Sequence, residues 1–466
     1  MQLVDLPSEL IEAIIDFSDM ATLKMARLVC PAWTGFATRS LFHTIALTPT
    51  REGLQKWHHI VNSDLSHSVR QAVINSCPVP DYAPNNYTSK TYKLVSRWRP
   101  DAEDEKYAGF YSAVKNLSRL PNIDHACLRF TENCAAEADY HAYEGFESVA
   151  YRLDLLRRTF QALYDRRNGT DSTPVKALTI YNLQNMPLPE FTSSELFSSV
   201  MQDVQHLHLH ICEEYNDGGP GDDVYCEERR TFMPYLQDHW LAAVASRLRS
   251  LTLYFVDCWG PLPGHFSGSG LSFPSLETLT LGQCCLAHHD AFDWVLAQKS
   301  LKSLRLYNCM IASHLRLWDG NVTDWQVRTH DWIKYPKGVF GLDMDDNSVY
   351  HYPGTWKTVF DRIRSELPQL SEFRFNFGRC HEQESAFFNG LDRFPTELAP
   401  VRYVVFDMGV LPSQWVDADD RTGEMAFSDS VDDADGFNRH KETEKEDSEA
   451  LEALTSKLLS RKRSHL

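Results

Sequence analysis

Leu276–Leu286 reads LETLTLGQCCL and Leu301–Ile311 reads LKSLRLYNCMI, two segments that share the pattern L-x-x-L-x-L-x-x-C-x-L/I without a gap. Apolar residues at the fourth and sixth positions, with Thr280 or Arg305 between them, alternate with a period of two, the mark of a short strand with one buried face. The ninth position, Cys284 in one copy and Cys309 in the other, is expected to turn the chain where a small polar side chain can bond exposed backbone. One such unit buries too little surface to stand alone, so neighbours must stack and share a continuous core.

Working outward, weaker copies centre on VRQAVI at Val69, HACLRF at His125, VKALTI at Val175, VQHLHL at Val204, LRSLTL at Leu248, LSEFRF at Leu370 and VRYVVF at Val401, which makes nine expected strands. Helix-forming stretches precede several of them, at 53–62, 106–117, 149–164, 235–245, 290–297 and 355–367. Spacing is uneven. The fourth positions Leu279 and Leu304 lie 25 residues apart, whereas Phe373 follows Leu304 by 69, so the long steps must hold insertions. Three inserted segments, 78–104, 213–230 and 313–354, are expected either to pack locally on the array or to form a lip for a ligand. The last contains Trp318, Trp325, Trp332 and Tyr335.

The array resembles leucine-rich repeats over residues 50–411, and the resemblance implies a curved parallel sheet with helices on its outer side. A non-solenoid α/β domain carrying a few such strands is the competing expectation. In a solenoid, positions three, five and seven point away from the core and line a binding face. Arg129, Tyr181, His206, His208, His210, Tyr254, Arg305, Tyr307 and Arg374 stand at those positions and belong to residue types suited to protein recognition, so they are the candidate contacts for a target protein. Tyr and Arg in particular often anchor interfaces. Tyr and Thr also favour strands for packing reasons alone, so position is not proof of contact.

Residues 6–47 read LPSELIEAIIDFSDMATLKMARLVCPAWTGFATRSLFHTIAL. Pro7 and Glu9 suit the start of a first helix, and Leu10, Ile11, Ile14, Ile15 and Phe17 cover more of it than one buried face absorbs. Asp19 or Thr22 suits the cap of a second helix, Pro31 ends it and opens a third, and Trp33, Phe36, Ala37, Ser40 and Leu41 recur at helical spacing. Three short helices this small cannot bury so much apolar surface among themselves.

The ordered set LPxEL, LVCxxW and LF resembles the F-box of modular ubiquitin ligases, fungal members most of all. Leu6, Pro7, Glu9, Leu10, Ile14, Ile15, Val29, Cys30 and Trp33 stand at the motif positions, and the resemblance implies that they bind a Skp-family adaptor, and through it cullin and RING subunits. Pro31 departs from the family, which usually carries a basic residue there. The expected organisation is α/β: a three-helix F-box at 1–47, an irregular leucine-rich-repeat solenoid at 48–411, and an acidic, largely disordered tail at 412–466. The expected role is substrate recognition in a Skp–cullin–F-box ligase, capturing an unidentified target protein. A scaffold or regulator that uses the same helices outside ubiquitination is the alternative.

Composition narrows the function class. A net charge of −18 over 466 residues disfavours general nucleic-acid binding, which depends on neutralising phosphates. No apolar run approaches the roughly 18–20 residues of a membrane helix, and 11 scattered cysteines fit buried thiols better than a disulfide framework. A cytoplasmic or nuclear location is expected. The HLHLH run at His206–His210 projects three imidazoles from one strand face, but neighbours two apart on a strand sit roughly 6–7 Å apart and zinc holds its ligands at about 2 Å. His58-His59 and His288-His289 read as helix-surface residues. GPLPGHFSGSG at Gly260–Gly270 reads as a mobile surface loop, since Pro261 and Pro263 break any phosphate cradle. No catalytic constellation, cofactor motif or metal-ligand spacing is present, so the chain is expected not to be an enzyme. In the tail, Leu451, Leu454, Leu458 and Leu459 recur at helical spacing from Glu444, which suits a short terminal helix, and RKR at Arg461–Arg463 serves either as dipole partner or as a nuclear signal.

Overall fold

The computed structural model describes residues 6–79, 105–135, 147–169, 172–213, 227–337, 346–378, 396–407, 412–413, 416–418, 425–427 and 439–464. It is a mixed α/β chain whose sheet strands are mostly parallel. Residues 1–183 with 188–204 form one compact unit, and 184–187 with 205–466 form a second.

The first unit opens with three helices, α1 (Ser8–Asp16), α2 (Met20–Val29) and α3 (Pro31–Leu41). Asp19 caps α2, its Oδ1 accepting the Thr22 N–H at 2.7 Å. Strand β1 (Thr44–Leu47) follows directly and was not expected from the repeat pattern. It pairs in parallel with β2 (Gln71–Asn75), which pairs with β3 (His125–Arg129), which pairs with β4 (Ala177–Gln184). Register aligns Ile45, Ala72, Ala126 and Leu178 in one row and Leu47, Ile74, Leu128 and Ile180 in the next, all buried. Helices α4 (Arg51–Val61), α5 (Glu105–Lys115) and α6 (Val149–Arg167) precede successive strands. Trp57 joins the first two, donating its indole N–H to the Ala113 carbonyl at 2.9 Å. On α6, the buried Arg166 guanidinium serves four carbonyls of the turn around Leu120–Ile123 and Thr173.

The second unit continues the logic with β5 (His206–Cys212), β6 (Ser250–Trp259), β7 (Thr278–Leu286) and β8 (Ser303–Tyr307). These four run parallel and in register. Their core rows are Leu207, Leu251, Leu279 and Leu304, then Leu209, Leu253, Leu281 and Leu306. The nine expected strands are all present.

Two features differ from the sequence reading. The left-handed residue sits at the eighth repeat position: Asn182 within β4, Gln283 within β7 and Asn308 just past β8 have φ of 58°, 59° and 49°, a conformation that Asn tolerates better than most residues. The ninth position then swings inward, and both Cys284 and Cys309 are buried. The second difference is a fork. Segment 313–354 is not a simple insertion, because β9 (Met310–Trp318) pairs with the end of β7 and with the antiparallel β10 (Asn347–His351). The far side of β8 is taken by β11 (Glu372–Asn376), so β12 (Tyr403–Asp407) joins β9 instead of extending the repeat row.

Helix α7 (Trp356–Glu366) and helix α8 (His440–Ser464) close the second unit. The terminal helix begins four residues before Glu444 and is docked, with Leu451, Leu454 and Leu458 buried. Its anchor is Asp447, fully buried. The carboxylate accepts from Arg402 Nε at 3.0 Å, Tyr403 Oη at 3.0 Å and the Lys357 N–H at 2.8 Å. Among tail residues 412–438, only three short strand fragments lie within the described set, as do no residues of 80–104 or 214–226. Truncating one partner of a fully buried ion pair costs about 3–5 kcal/mol, so Asp447→Ala should lower the unfolding free energy by that amount. A urea titration that finds less than about 1 kcal/mol would contradict the anchoring role.

Candidate functional site

The three N-terminal helices build a core of their own. Ile11 and Ile15 of α1, Leu23 and Ala26 of α2 and Ala37 of α3 form it, with Leu6, Trp33, Phe36 and Leu41 packed around them. Polar ties fix the helices: Ser40 Oγ donates to Asp16 Oδ1 at 2.6 Å, Arg27 Nε to Thr38 Oγ1 at 3.0 Å, and Thr34 Oγ1 to the Arg27 carbonyl at 3.0 Å.

That core uses only one side of α1 and α2. Leu10 and Ile14 of α1 and Phe17 just past its end fall at i, i+4 and i+7, about a third of a turn round from Ile11 and Ile15, and are exposed, Phe17 at 95%. Met20, Met25, Leu28 and Val29 of α2 are exposed too, Leu28 at 82%. Of the nine motif residues, Pro7, Glu9, Leu10, Ile14 and Val29 are exposed, while Leu6, Cys30 and Trp33 are half-buried. Ile15 is 2% exposed and packs inside the three-helix core. Phe17, which adds to the excess apolar width of the first helix, and Met20, Met25 and Leu28 of α2 are exposed apolar residues outside the motif positions.

In the second unit, the face opposite the core carries three rows. Row three is His206, Ser250, Thr278, Ser303 and Glu372; row five is His208, Thr252, Thr280, Arg305 and Arg374; row seven is His210, Tyr254, Gly282, Tyr307 and Asn376. Row seven is buried throughout. Tyr254 and Tyr307 form a small buried cluster, reaching each other across Gly282, which has no side chain to separate them. His210 stacks on Tyr254 with centroids 4.6 Å apart. Expected as protruding anchors, these three are packed residues, because strand neighbours only about 4.8 Å apart crowd large rings together.

The arginines converge on Glu372. Arg305 Nη2 lies 2.9 Å from Oε1, Arg374 Nε 3.7 Å from the same oxygen, and Ser303 Oγ donates to Oε2 at 3.1 Å. Burial pushes the Glu372 carboxyl up, but Arg305, Ser303 and Arg374 together outweigh it and hold the group below the usual glutamate range. Arg305 and Arg374 therefore share one counter-charge at the half-buried edge of the face. In the first unit, Arg129 and Tyr181 are register partners on β3 and β4, and the guanidinium sits over the Tyr181 ring at 5.1 Å.

Two segments read as surface features are packed. In Gly260–Gly270, Leu262 and Phe266 are buried, and Gly268, at φ 62°, lies so close to Trp294 that a Cβ would overlap the indole. His288 is buried in the loop after β7. Its Nδ1 lies 2.6 Å from Asp331 Oδ1, and its ring stacks on Trp332 at 5.0 Å. Burial pushes its pKa down. Among the described residues, no helix is long and apolar enough to cross a membrane.

No protein-family model matches the chain, and no curated protein matches it. The exposed and the buried sides of α1 and α2 should separate in stability measurements. Phe17→Ser with Leu28→Ser should change the unfolding free energy by less than about 1 kcal/mol, whereas Ile15→Ala should cost about 2–5 kcal/mol. Equal losses in a denaturant titration would mean that the exposed side is covered in solution.

Proposed function

We propose that this chain is a substrate-recognition subunit of a Skp–cullin–F-box ubiquitin ligase, with residues 6–47 holding a Skp-family adaptor and the repeat-bearing sheet presenting a target protein. The observation that carries this reading is the solvent-facing apolar surface of α1 and α2: Leu10, Ile14, Phe17, Met20, Met25, Leu28 and Val29 lie exposed, while Ile11, Ile15, Leu23 and Ala26 of the same helices already fill the three-helix core. A cluster of large apolar side chains left in water is costly unless a partner covers it, and such patches mark protein-binding surfaces. The F-box resemblance names the partner class.

The chemistry would then belong to other subunits. The chain would raise the local concentration of a captured protein near the ubiquitin-carrying enzyme. Repeats form a solenoid in this reading, and the parallel rows with helices preceding the strands support it. The half-buried Arg305 and Arg374 with their shared Glu372, and the Arg129–Tyr181 pair, offer the charged and aromatic groups for the target.

Leu28→Asp with Val29→Asp puts two carboxylates on the exposed side without entering the core. Binding to a purified Skp-family adaptor should fall at least tenfold, about 1.4 kcal/mol or more, while the circular dichroism and unfolding midpoint stay unchanged. Full affinity in the double variant, or no adaptor binding by the unaltered chain, would remove the assignment. Recovery of cullin with the adaptor separates ligase membership from use of the same helices in another complex.

A further inference from the structure

His288, in the loop after β7, and His330 with Asp331, in the segment before Ile333, place three donor atoms within 4.8 Å of one another. We propose that these three side chains bind a divalent cation of the zinc class, fastening segment 325–334 to the end of the sheet. Two imidazoles and one carboxylate form a three-residue zinc set of the open type, in which the fourth position is left to water.

The distances suit that role after a small adjustment. Donors around a tetrahedral zinc lie about 3.4 Å apart, given bonds of about 2.1 Å. His288 Nδ1 and Asp331 Oδ1 are now 2.6 Å apart, and His330 Nε2 and Asp331 Oδ1 3.9 Å, so one pair opens and the other closes by under an ångström, and the two imidazole donors, within 4.8 Å of each other, close by at most about 1.4 Å. Ligation through Nδ1 moves the His288 ring proton to Nε2. Packing holds the ligands in place. The His288 ring lies parallel to both Trp332, at 5.0 Å, and His330, at 5.7 Å, while Asp331 Oδ2 accepts the His289 N–H at 2.8 Å and leaves Oδ1 for the two imidazoles.

The local charge is compatible with a dication. Arg328 is the nearby cation, but it is bound to Asp290 at 2.6 Å and donates to His265 Nε2 at 2.8 Å. Asp290 and Asp331 against one arginine leave a net negative charge. His330 is 61% exposed, which gives the ion a route in. Sequence spacing could not disclose the set, since His288 and Asp331 stand 43 positions apart.

The test uses the full chain, stripped with a chelator and then titrated with Zn²⁺ and, separately, Co²⁺. Expected are one tight ion per chain, a rise in the unfolding midpoint on adding Zn²⁺, and a tetrahedral Co²⁺ spectrum without thiolate charge-transfer bands. His330→Ala, at an exposed position, should keep the fold and weaken Zn²⁺ binding at least tenfold, and Asp331→Asn should do the same. Three outcomes overturn the site: no tight ion, unchanged affinity in His330→Ala with Asp331→Asn, or a Co²⁺ spectrum dominated by thiolate, which would place the metal on cysteines. In those cases the His288–Asp331 contact is only a hydrogen bond that ties the loop to the sheet.

Discussion

In-register parallel pairing of short strands is the constraint from which the rest of the structure follows. Each strand alternates faces with a period of two, so a slip of one residue would turn Leu251 and Leu253 outward and bring Thr252 and Tyr254 into the core. Because β5 to β8 keep one register, leucines stack on leucines across four strands. The left-handed residue at the eighth position protects that register. At Asn308 it sends the chain off the strand while the side chain bonds both backbone groups of Gly378, at 3.2 Å and 3.0 Å. A β-branched residue there would resist the required φ and shift the turn.

What the sequence discloses and what it hides divide along this physical line. All nine strands are legible, because apolar residues at the fourth and sixth positions survive even in copies as degenerate as VRQAVI, where Val73 replaces the polar residue between them. β1 is not legible: TIAL supplies the alternation but lacks the leading leucine and the spacing of a repeat. β9 is hidden for a different reason. Its sequence MIASHLRLW has apolar residues on both sides, as suits a strand with β7, β12 and β10 as partners and nearly every position buried. Burial on both faces erases the period that sequence reading depends on.

The candidate site is legible in outline and misread in depth. Alternation correctly assigns Tyr254, Tyr307 and His210 to the face away from the core, but a face is not a surface. Rings as large as tyrosine on adjacent or next-adjacent strands cover one another, and Gly282 removes the side chain that would have kept two of them apart. Similarly, Arg305 and Arg374 are on the expected face, yet their common partner Glu372 can be found only by pairing β8 with β11, whose residues lie 69 positions apart. Ile15 stands at a motif position and lies inside the three-helix core. A motif position records that a residue matters, and both packing inside a unit and touching a partner make it matter.

The N-terminal helices show how small size converts into exposed apolar surface. Three helices of nine to eleven residues can enclose a core one side chain thick, and Ile11, Ile15, Leu23, Ala26 and Ala37 fill it. Every further apolar residue must then lie outside. A helix needs only a stripe of about 100° to meet such a core, whereas Leu10, Ile14 and Phe17 extend the apolar character of α1 beyond that stripe. Nothing in the stability of the unit calls for them there, since Phe17 at 95% exposure contributes almost no burial. The contact proposed for them, made outside the three-helix core, would account for their presence, and its strength should scale with the apolar area it removes from water.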